Sequence, residues 1–180
     1  HCNLTLLFAF CQAVACGEAG VRRPVAGQRF ERAGFSLEVL FPGTEPSPGG
    51  DNRSSLVLLA SAGGRRLLFT GDLDGVGEEA LVRLARDRLA ADLLKVAHHG
   101  SAGSSTSVLL AAVRPRLAVV SAGSTNPFGH PAAPALERLI ERRARVLRTD
   151  RDGEVALRWR AEGPWRLRLP GSPRAIPPAR

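Results

Sequence analysis

The stretch that decides the predicted fold runs from Arg65 to Asp72 and reads RRLLFTGD. Its apolar residues favour a buried β-strand, which ends in a glycine turn and a carboxylate. Twice more an apolar run leads into polar residues: HHGS from His98 to Ser101, and NPFGHP from Asn126 to Pro131. Because a rigid sheet holds the loops that follow its strands, such positions are typical of binding and catalytic residues.

Turn signals and hydrophobic periodicity predict a mixed α/β layered domain with a partly antiparallel sheet. Ala33-Gly34 and Gly63-Gly64 predict tight hairpin turns. We predict helices over residues 4–19, 78–89, 104–113 and 132–142. We predict strands over residues 30–32, 35–41, 56–61, 65–70, 92–97, 117–121, 145–149, 155–160 and 165–169. The domain therefore covers residues 1–169, and the proline-rich residues 170–180 form a predicted disordered tail.

The positive charge of the chain is unevenly placed. The 180 residues carry 25 Lys and Arg against 17 Asp and Glu, a formal net charge of +8. Residues 1–90 carry 10 basic and 10 acidic side chains, so the second half holds the whole excess. This excludes a uniformly basic tail and suggests a polyanionic partner or an anionic surface. The alternative is a codon bias toward arginine without function.

The first residues give no direct evidence of a membrane segment. The apolar stretch from Leu4 to Cys16 is too short to cross a bilayer and lacks the basic region of a signal peptide. Cys2, Cys11 and Cys16 are an odd number, and they match neither a disulfide framework nor a zinc motif. We expect buried or incidental thiols there. Because the chain begins at His1 and has no methionine, we also expect a fragment or a processed product.

Four residues at the predicted strand ends form a candidate metal site. A carboxylate and imidazoles at one sheet edge suit zinc or manganese, and here they are Asp72, His98, His99 and His130. Such an ion would polarise a phosphoryl or carbonyl oxygen and lower the pKa of a bound water. Ser101 and Asn126 could donate hydrogen bonds to a substrate.

Each of these residues also has a purely structural interpretation. Asp72, together with Asp74, could cap a helix that begins near Val76. His98 and His99 could be satisfied by backbone groups, and His130 could simply open the next helix. Their joint position after three successive strands favours the functional interpretation.

Several motifs resemble known families. The segments DNRSSLVLL (residues 51–59) and LLFTGD (67–72) resemble the DN-x-x-SLVL and L-x-TGD segments of metallo-β-lactamase-fold proteins. LKVAHHGS (94–101), NPFGHP (126–131) and RTDRDG (148–153) resemble the ComEC competence-protein family. The similarity runs from about Val21 to Trp159 and implies an αββα sandwich with a mixed sheet.

The resemblance implies the C-terminal domain of a bacterial DNA-uptake channel, on the outer face of the cytoplasmic membrane. In that family the domain is thought to be a metal-dependent nuclease that degrades the non-transported DNA strand, without a small-molecule cofactor. Asp72 would then be a bridging metal ligand, and His98 or His99 a ligand of a second metal. His98, nearer the strand end, is favoured. His130 would contact a phosphate or carry a proton.

One departure from the family pattern is large, because the metal motif H-x-H-x-D-H of the fold is absent. We therefore expect a chain truncated at its N-terminus, without about half of the metal ligands and one layer of the sandwich. We also expect it to be inactive or poorly folded alone. The membrane-spanning part would lie outside this chain.

The last predicted hairpin gives the positive charge a position. Strand alternation places four arginines on one face and Trp159 and Trp165 on the other; the arginines are Arg158, Arg160, Arg166 and Arg168. This face could follow DNA phosphates, or it could simply be solvated.

Three functions remain open at this point. The first is part of a metal-dependent DNA phosphodiesterase of a competence protein. The second is a stand-alone hydrolase of the metallo-β-lactamase fold, and the third is an inactive DNA-binding or regulatory domain.

Overall fold

The structure is a computed structural model that describes residues 24–42, 51–158, 165–169 and 172–176. A seven-stranded mixed sheet follows the chain order. Its strands are β1 Arg29–Arg32, β2 Phe35–Phe41, β3 Val57–Ala62, β4 Arg65–Phe69, β5 Leu93–Lys95, β6 Leu117–Val120 and β7 Arg145–Arg148. Adjacent strands from β1 to β4 are antiparallel, and β4 to β7 are parallel to one another. This confirms the predicted mixed sheet.

Helices connect the parallel strands, as crossovers between such strands require. They are α1 Gly75–Ala85, α2 Ser107–Val113 and α3 Ala133–Glu141, and a short α4, Thr149–Asp152, follows β7. Three short 3-10 turns cover Asp51–Ser54, Arg86–Arg88 and Ala97–Gly100. A second, three-stranded antiparallel sheet contains β8 Ala156–Arg158, β9 Trp165–Leu169 and β10 Ser172–Ile176, with β9 in the centre.

Both predicted hairpin turns are present. Ala33 and Gly34 have φ of 49° and 77°, and Gly63 and Gly64 have φ of 54° and 69°. Positive φ at both central residues is what a type I′ turn requires, and its twist matches that of the flanking strands. The turn residues therefore set the antiparallel register of β1 with β2 and of β3 with β4.

The main sheet is covered on both faces. Successive strand residues alternate sides, so Leu68 and Leu94 belong to a buried cluster with the helices, while Leu67 and Leu93 belong to a second cluster. That second cluster includes Leu157 of β8, which is 2% exposed. Each such side chain contributes roughly 1.5–3 kcal/mol by burial. Helices thus pack on one face and β8 packs on the other, leaving the strand-end loops at the edge.

Element boundaries differ from the prediction where side chains cap the helices. We predicted that the first described helix begins at residue 78, but Asp74 accepts a hydrogen bond from the Gly77 amide (2.8 Å), so α1 begins at Gly75. The helix predicted from residue 104 begins at Ser107, with Thr106 as its N-cap. The structural interpretation of Asp74 as a cap is therefore confirmed.

Within residues 170–180, for which we predicted a disordered tail, the structure describes one strand. Ser172–Ile176 pairs with β9 in antiparallel register. Its sequence, SPRAI, carries a proline, which an edge strand tolerates. The predicted helix over residues 4–19 and the three cysteines lie outside the described residues.

Glu38 is expected to make stability depend on pH. Its buried carboxylate accepts hydrogen bonds from Arg29 (3.1 Å) and Arg88 (2.6 Å). Burial acts to raise the pKa of Glu38, but the two arginines outweigh it and lower the pKa below its ordinary value of 4.5. The stabilisation is therefore present above that value and is lost as the pH falls through the lowered pKa.

We expect Glu38→Gln to lower the free energy of unfolding by about 1–2 kcal/mol at pH 7. Urea denaturation at pH 7 and pH 3 measures it, and the difference from wild type should shrink at pH 3. Glu31→Gln is the control, because Glu31 pairs with the same Arg29 at 3.8 Å but is largely exposed. Equal effects of the two substitutions at pH 7 would contradict this account.

Candidate active site

The three polar segments meet at one edge of the sheet, after the carboxyl ends of β4, β5 and β6. Open α/β sheets commonly bind ligands at this edge. The first two loops are tied together: the His98 amide donates to the Gly71 carbonyl (3.1 Å), and Thr70 Oγ1 donates to the Lys95 carbonyl (2.7 Å). Lys95 Nζ also donates to the Gly71 carbonyl, at 3.3 Å. These bonds fix where Asp72 leaves the sheet.

Asp72 and His99 form the central pair of the site. His99 Nε2 lies 3.7 Å from Asp72 Oδ1, and both side chains are about half exposed. His99 Nδ1 is 2.7 Å from the Ser121 carbonyl oxygen. The tautomer protonated at Nδ1 satisfies that carbonyl and leaves the Nε2 lone pair toward Asp72. Metal-binding histidines use this same division of roles between their two nitrogens.

The spacing of this pair suits a shared ion. Two donors that each lie about 2.1 Å from one ion are at most about 4.2 Å apart. The 3.7 Å between His99 Nε2 and Asp72 Oδ1 falls within that limit and exceeds hydrogen-bonding distance. The structure thus places His99 beside Asp72, whereas the sequence favoured His98 as the ligand.

His98 instead faces the third loop, which follows β6 and contains residues 126–131. Its ring centroid lies 5.8 Å from that of His130, with the rings at 69°. His98 and His99 both have left-handed backbones, with φ of 46° and 53°. Such conformations cost roughly 1–3 kcal/mol each in non-glycine residues and concentrate at functional sites. Gly100 follows at φ 82°, where an added Cβ would lie 2.7 Å from the Pro131 Cβ. The strained turn directs the two imidazoles to different neighbours.

His130 has a buried nitrogen without a partner. Its Nδ1 makes no hydrogen bond among the described residues. Burial, together with the nearby His98 and His99, lowers the pKa of His130 below its ordinary value of 6.5. The imidazole is therefore neutral at pH 7 and keeps a lone pair, as an acceptor or a proton carrier needs.

Asn126 holds His130 in place. Its Nδ2 donates to the carbonyls of Gly123 and His130, both at 2.7 Å, and its Oδ1 accepts from the His130 amide at 2.9 Å. The sequence predicted that this amide donates to a substrate. In the structure it instead makes these three hydrogen bonds within its own loop, and we call them the Asn126 clamp. Ser101, the other predicted donor, begins the next loop, and its amide donates to the His98 carbonyl at 2.9 Å.

Replacing Asn126 with alanine should therefore loosen the loop. We expect the free energy of unfolding to fall by about 1–2 kcal/mol, because three hydrogen bonds are lost from a partly exposed site. Urea denaturation measures the change. Ser124→Ala, in an exposed position of the same loop, is the control and should be neutral. A neutral Asn126→Ala variant would show that the clamp carries no stability.

The motif RTDRDG supports this loop from the next strand. Thr149 Oγ1 donates to the Ala122 carbonyl and accepts from the Ala122 amide, both at 2.8 Å. Arg148 donates two hydrogen bonds to Asp150. These contacts raise the pKa of Arg148 and lower that of Asp150. The motif thus positions the third loop rather than entering the site.

Two further residues that the sequence interpretation missed hold the loop after His99. The carboxylate of Glu78 is fully buried and accepts from the amides of Ser105 (2.6 Å) and Thr106 (2.7 Å). Burial raises the pKa of Glu78, although these amides act in the opposite direction. Arg138 donates to the carbonyls of Ala102 (2.6 Å), Ser104 (2.7 Å) and Ser105 (3.0 Å).

A sequence signal for Glu78 did exist. It lies three and four residues before Leu81 and Val82, which are buried on the inner face of α1. A carboxylate at that helical spacing on an apolar face indicates a buried acceptor that needs donors.

A complete metal site is not present in the described part of the chain. No group of three or more His, Cys, Asp or Glu side chains there could hold an ion. Zinc sites in proteins use three or four protein ligands, and the Asp72–His99 pair supplies two. The chemistry of the donors fits a divalent metal, but their number does not suffice. These residues form at most part of a ligand set.

Three of the four predicted arginines lie in strands of the second sheet. Its register pairs Arg158 with Arg166, and Arg168 lies two residues further along β9. The three thus occupy register positions of one face. Arg160 lies outside the described residues. Among the residues that the structure describes, no helix has the length and apolar character needed to cross a membrane.

Comparisons with known proteins agree with the fold and the motifs. The sequence model of the Metallo-beta-lactamase superfamily matches residues 12–124. The chain is 39% identical over 126 residues to ComE operon protein 3 of Bacillus subtilis (strain 168), covering 70% of the chain and 16% of that protein. It is 42% identical over 133 residues to Competence protein ComA of Neisseria gonorrhoeae, covering 74% of the chain and 19% of that protein.

A stretch of 22 residues, 12% of the chain, is 96% identical to 7% of the transaldolase of Methylibium petroleiphilum. It is too short to show a family. The match to the superfamily, in contrast, covers more than half of the chain and includes the strand-end loops of Asp72 and His99. The chain therefore belongs to the metallo-beta-lactamase superfamily, and within it resembles the competence proteins of the ComEC family.

Proposed function

We propose that this chain is part of a metal-dependent phosphodiesterase domain of a DNA-uptake membrane protein. The observation that carries the proposal is the Asp72–His99 pair, 3.7 Å apart at adjoining strand ends. The competence relatives support the biological setting. In this setting the domain acts on the extracytoplasmic face of a bacterial cytoplasmic membrane, and the parent protein supplies the membrane-spanning part.

Each residue of the site has its own proposed role. Asp72 and His99 would hold a zinc or manganese ion, with His98 as the other candidate ligand and the remaining ligands outside the described residues. The bound ion would polarise a phosphoryl oxygen and supply a nucleophilic water. His130, neutral and held by the Asn126 clamp, contacts the phosphate or carries a proton at the rim. Ser101, two residues after His99 in the chain, would donate a hydrogen bond to the substrate.

DNA contact outside the centre would come from the second sheet. Arg158, Arg166 and Arg168 share register positions of one face, and Arg160 belongs to the same predicted set. Arginine side chains bind phosphates without reading sequence, with an affinity that falls as salt rises. This agrees with a nuclease that degrades whatever strand is presented to it.

The experiment is cleavage of single- and double-stranded DNA by the longer protein that contains this domain. After dialysis against a chelator, activity should be absent, and Mn²⁺ or Zn²⁺ should restore it. Absence of cleavage under every metal condition would overturn the proposal.

A second function is favoured by one observation, the lack of a three-ligand group in the described part of the chain. This second function is that of a catalytically inactive DNA-binding domain. The same experiment separates the two, because this domain would retain DNA in a filter-binding assay without cutting it.

A further inference from the structure

An exposed aromatic ring stands at the edge of the site. Phe128 is 77% exposed, more than any other large apolar residue within 24–42 and 51–157. Its ring lies 6.0 Å from that of His130, centroid to centroid, at an interplanar angle of 23°. One face of the ring therefore lies over His130. An exposed phenylalanine lacks about 2 kcal/mol of the stabilisation that burial would give. The ring is therefore a candidate contact for a binding partner.

The loop presents this ring in a fixed position. Asn126 makes three hydrogen bonds across the segment that carries Phe128, two of them to the His130 backbone. Gly129 adopts φ +66°, with no atom within 4 Å of the place a Cβ would occupy. A ring that is already positioned loses little conformational freedom on binding a flat partner.

The surroundings of the ring suit a nucleic acid. From Leu117 to Leu136 the chain contains no Asp, Glu, Lys or Arg, so this segment does not repel a phosphate backbone. His130, beneath the ring, contacts His98, which adjoins the Asp72–His99 pair. A base stacked on Phe128 would thus have its phosphate close to the proposed centre.

We propose that Phe128 is a base-stacking platform that makes the site prefer single-stranded DNA. The inference rests on the proposed function and names the form of its substrate. An aromatic face binds any base, which gives affinity without sequence preference. In a duplex each base is already stacked on its neighbours, so only an unpaired base can occupy the ring without unstacking.

The test compares oligothymidylate with an abasic oligonucleotide of equal length and charge. Fluorescence anisotropy with the full chain, at fixed salt and without metal, gives the two Kd values. Wild type should bind oligothymidylate about 5- to 30-fold more tightly. Phe128→Leu should lower this ratio at least 3-fold, by weakening only oligothymidylate binding. Phe128→Trp should keep or raise it.

Two results would overturn the inference. One is a base-dependence ratio that Phe128→Leu leaves unchanged, and the other is a Phe128→Leu variant whose urea midpoint falls well below that of wild type. The second result would mean that the ring is a packing element. The proposed function has a different test, because absence of metal-dependent cleavage would contradict it. The binding measurement needs no metal, so the two failures can be distinguished.

Discussion

Replacing Asp72 with alanine should lower the rate of metal-dependent DNA cleavage by about a thousandfold. A metal ion contributes several kcal/mol of transition-state stabilisation, and about 1.4 kcal/mol corresponds to a factor of ten in rate. Asp72 carries the only carboxylate within reach of His99 in the described structure. Its loss removes one of the two donors that this part of the chain supplies. Single-turnover cleavage of a labelled oligonucleotide by the longer protein measures the effect.

Asp74→Asn is the matched control. Asp74 lies two residues away, but its carboxylate caps α1 through the Gly77 amide at 2.8 Å and pairs with Arg53 at 3.2 Å. Asparagine is an equally good N-cap, so helix and activity should both be retained. If Asp72→Ala cut DNA as fast as Asp74→Asn, Asp72 would have no role in catalysis.

Replacing Glu78 with alanine should lower the free energy of unfolding by about 3 kcal/mol. The carboxylate is fully buried and accepts two short hydrogen bonds, from the amides of Ser105 and Thr106. Without it, a buried amide and a partly buried amide lose their acceptor, and each such loss costs about 1–3 kcal/mol when the group is buried. Because these amides start α2 and end the loop after His99, we also expect the loop to lose its fixed position. Urea denaturation followed by circular dichroism measures the stability.

Glu79→Ala provides the comparison on the same helix. Glu79 is exposed and pairs only weakly with Arg83, at 3.9 Å. Exposed pairs of this kind contribute about 0.3–0.5 kcal/mol. If both substitutions changed the urea midpoint by a similar small amount, the buried carboxylate would not be the anchor of the loop.

The parts of the fold that local chemistry controls could be predicted from the sequence. Both hairpin turns were predicted from their glycines, because Gly34, Gly63 and Gly64 adopt positive φ without the steric cost of a side chain. The alternation of apolar runs with polar strand ends likewise placed Asp72, the histidine pair and His130 at one edge. Parallel strands bring such positions together whatever the details of their loops.

The arrangement within the site could not be predicted in the same way. Whether His98 or His99 faces Asp72 depends on the left-handed backbone conformation of both histidines. Sequence does not predict this conformation in residues other than glycine. The role of Asn126 depends on a loop that folds back on itself. Spacing indicates that Glu78 is a buried acceptor, but which amides it accepts from depends on packing between α1 and the start of α2. The first two arrangements are set by the conformations of single loops and the third by a tertiary contact, whereas sequence periodicity reports only which face of an element is buried.

The strand Ser172–Ile176, within the predicted tail, was missed for a related reason. A proline-rich composition disfavours a central strand, but Ser172–Ile176 needs only one partner, β9, to form an edge strand. Composition alone does not reveal that an unpaired strand edge is available.

The count of metal ions bound to the longer protein tests the central claim most directly. After equilibrium dialysis against Mn²⁺, elemental analysis of wild type, Asp72→Ala and Asp74→Asn gives that count. We expect wild type and Asp74→Asn to bind the same number of ions, and Asp72→Ala to bind at least one fewer. An undiminished count in Asp72→Ala would contradict the assignment of this strand-end cluster as part of a metal centre.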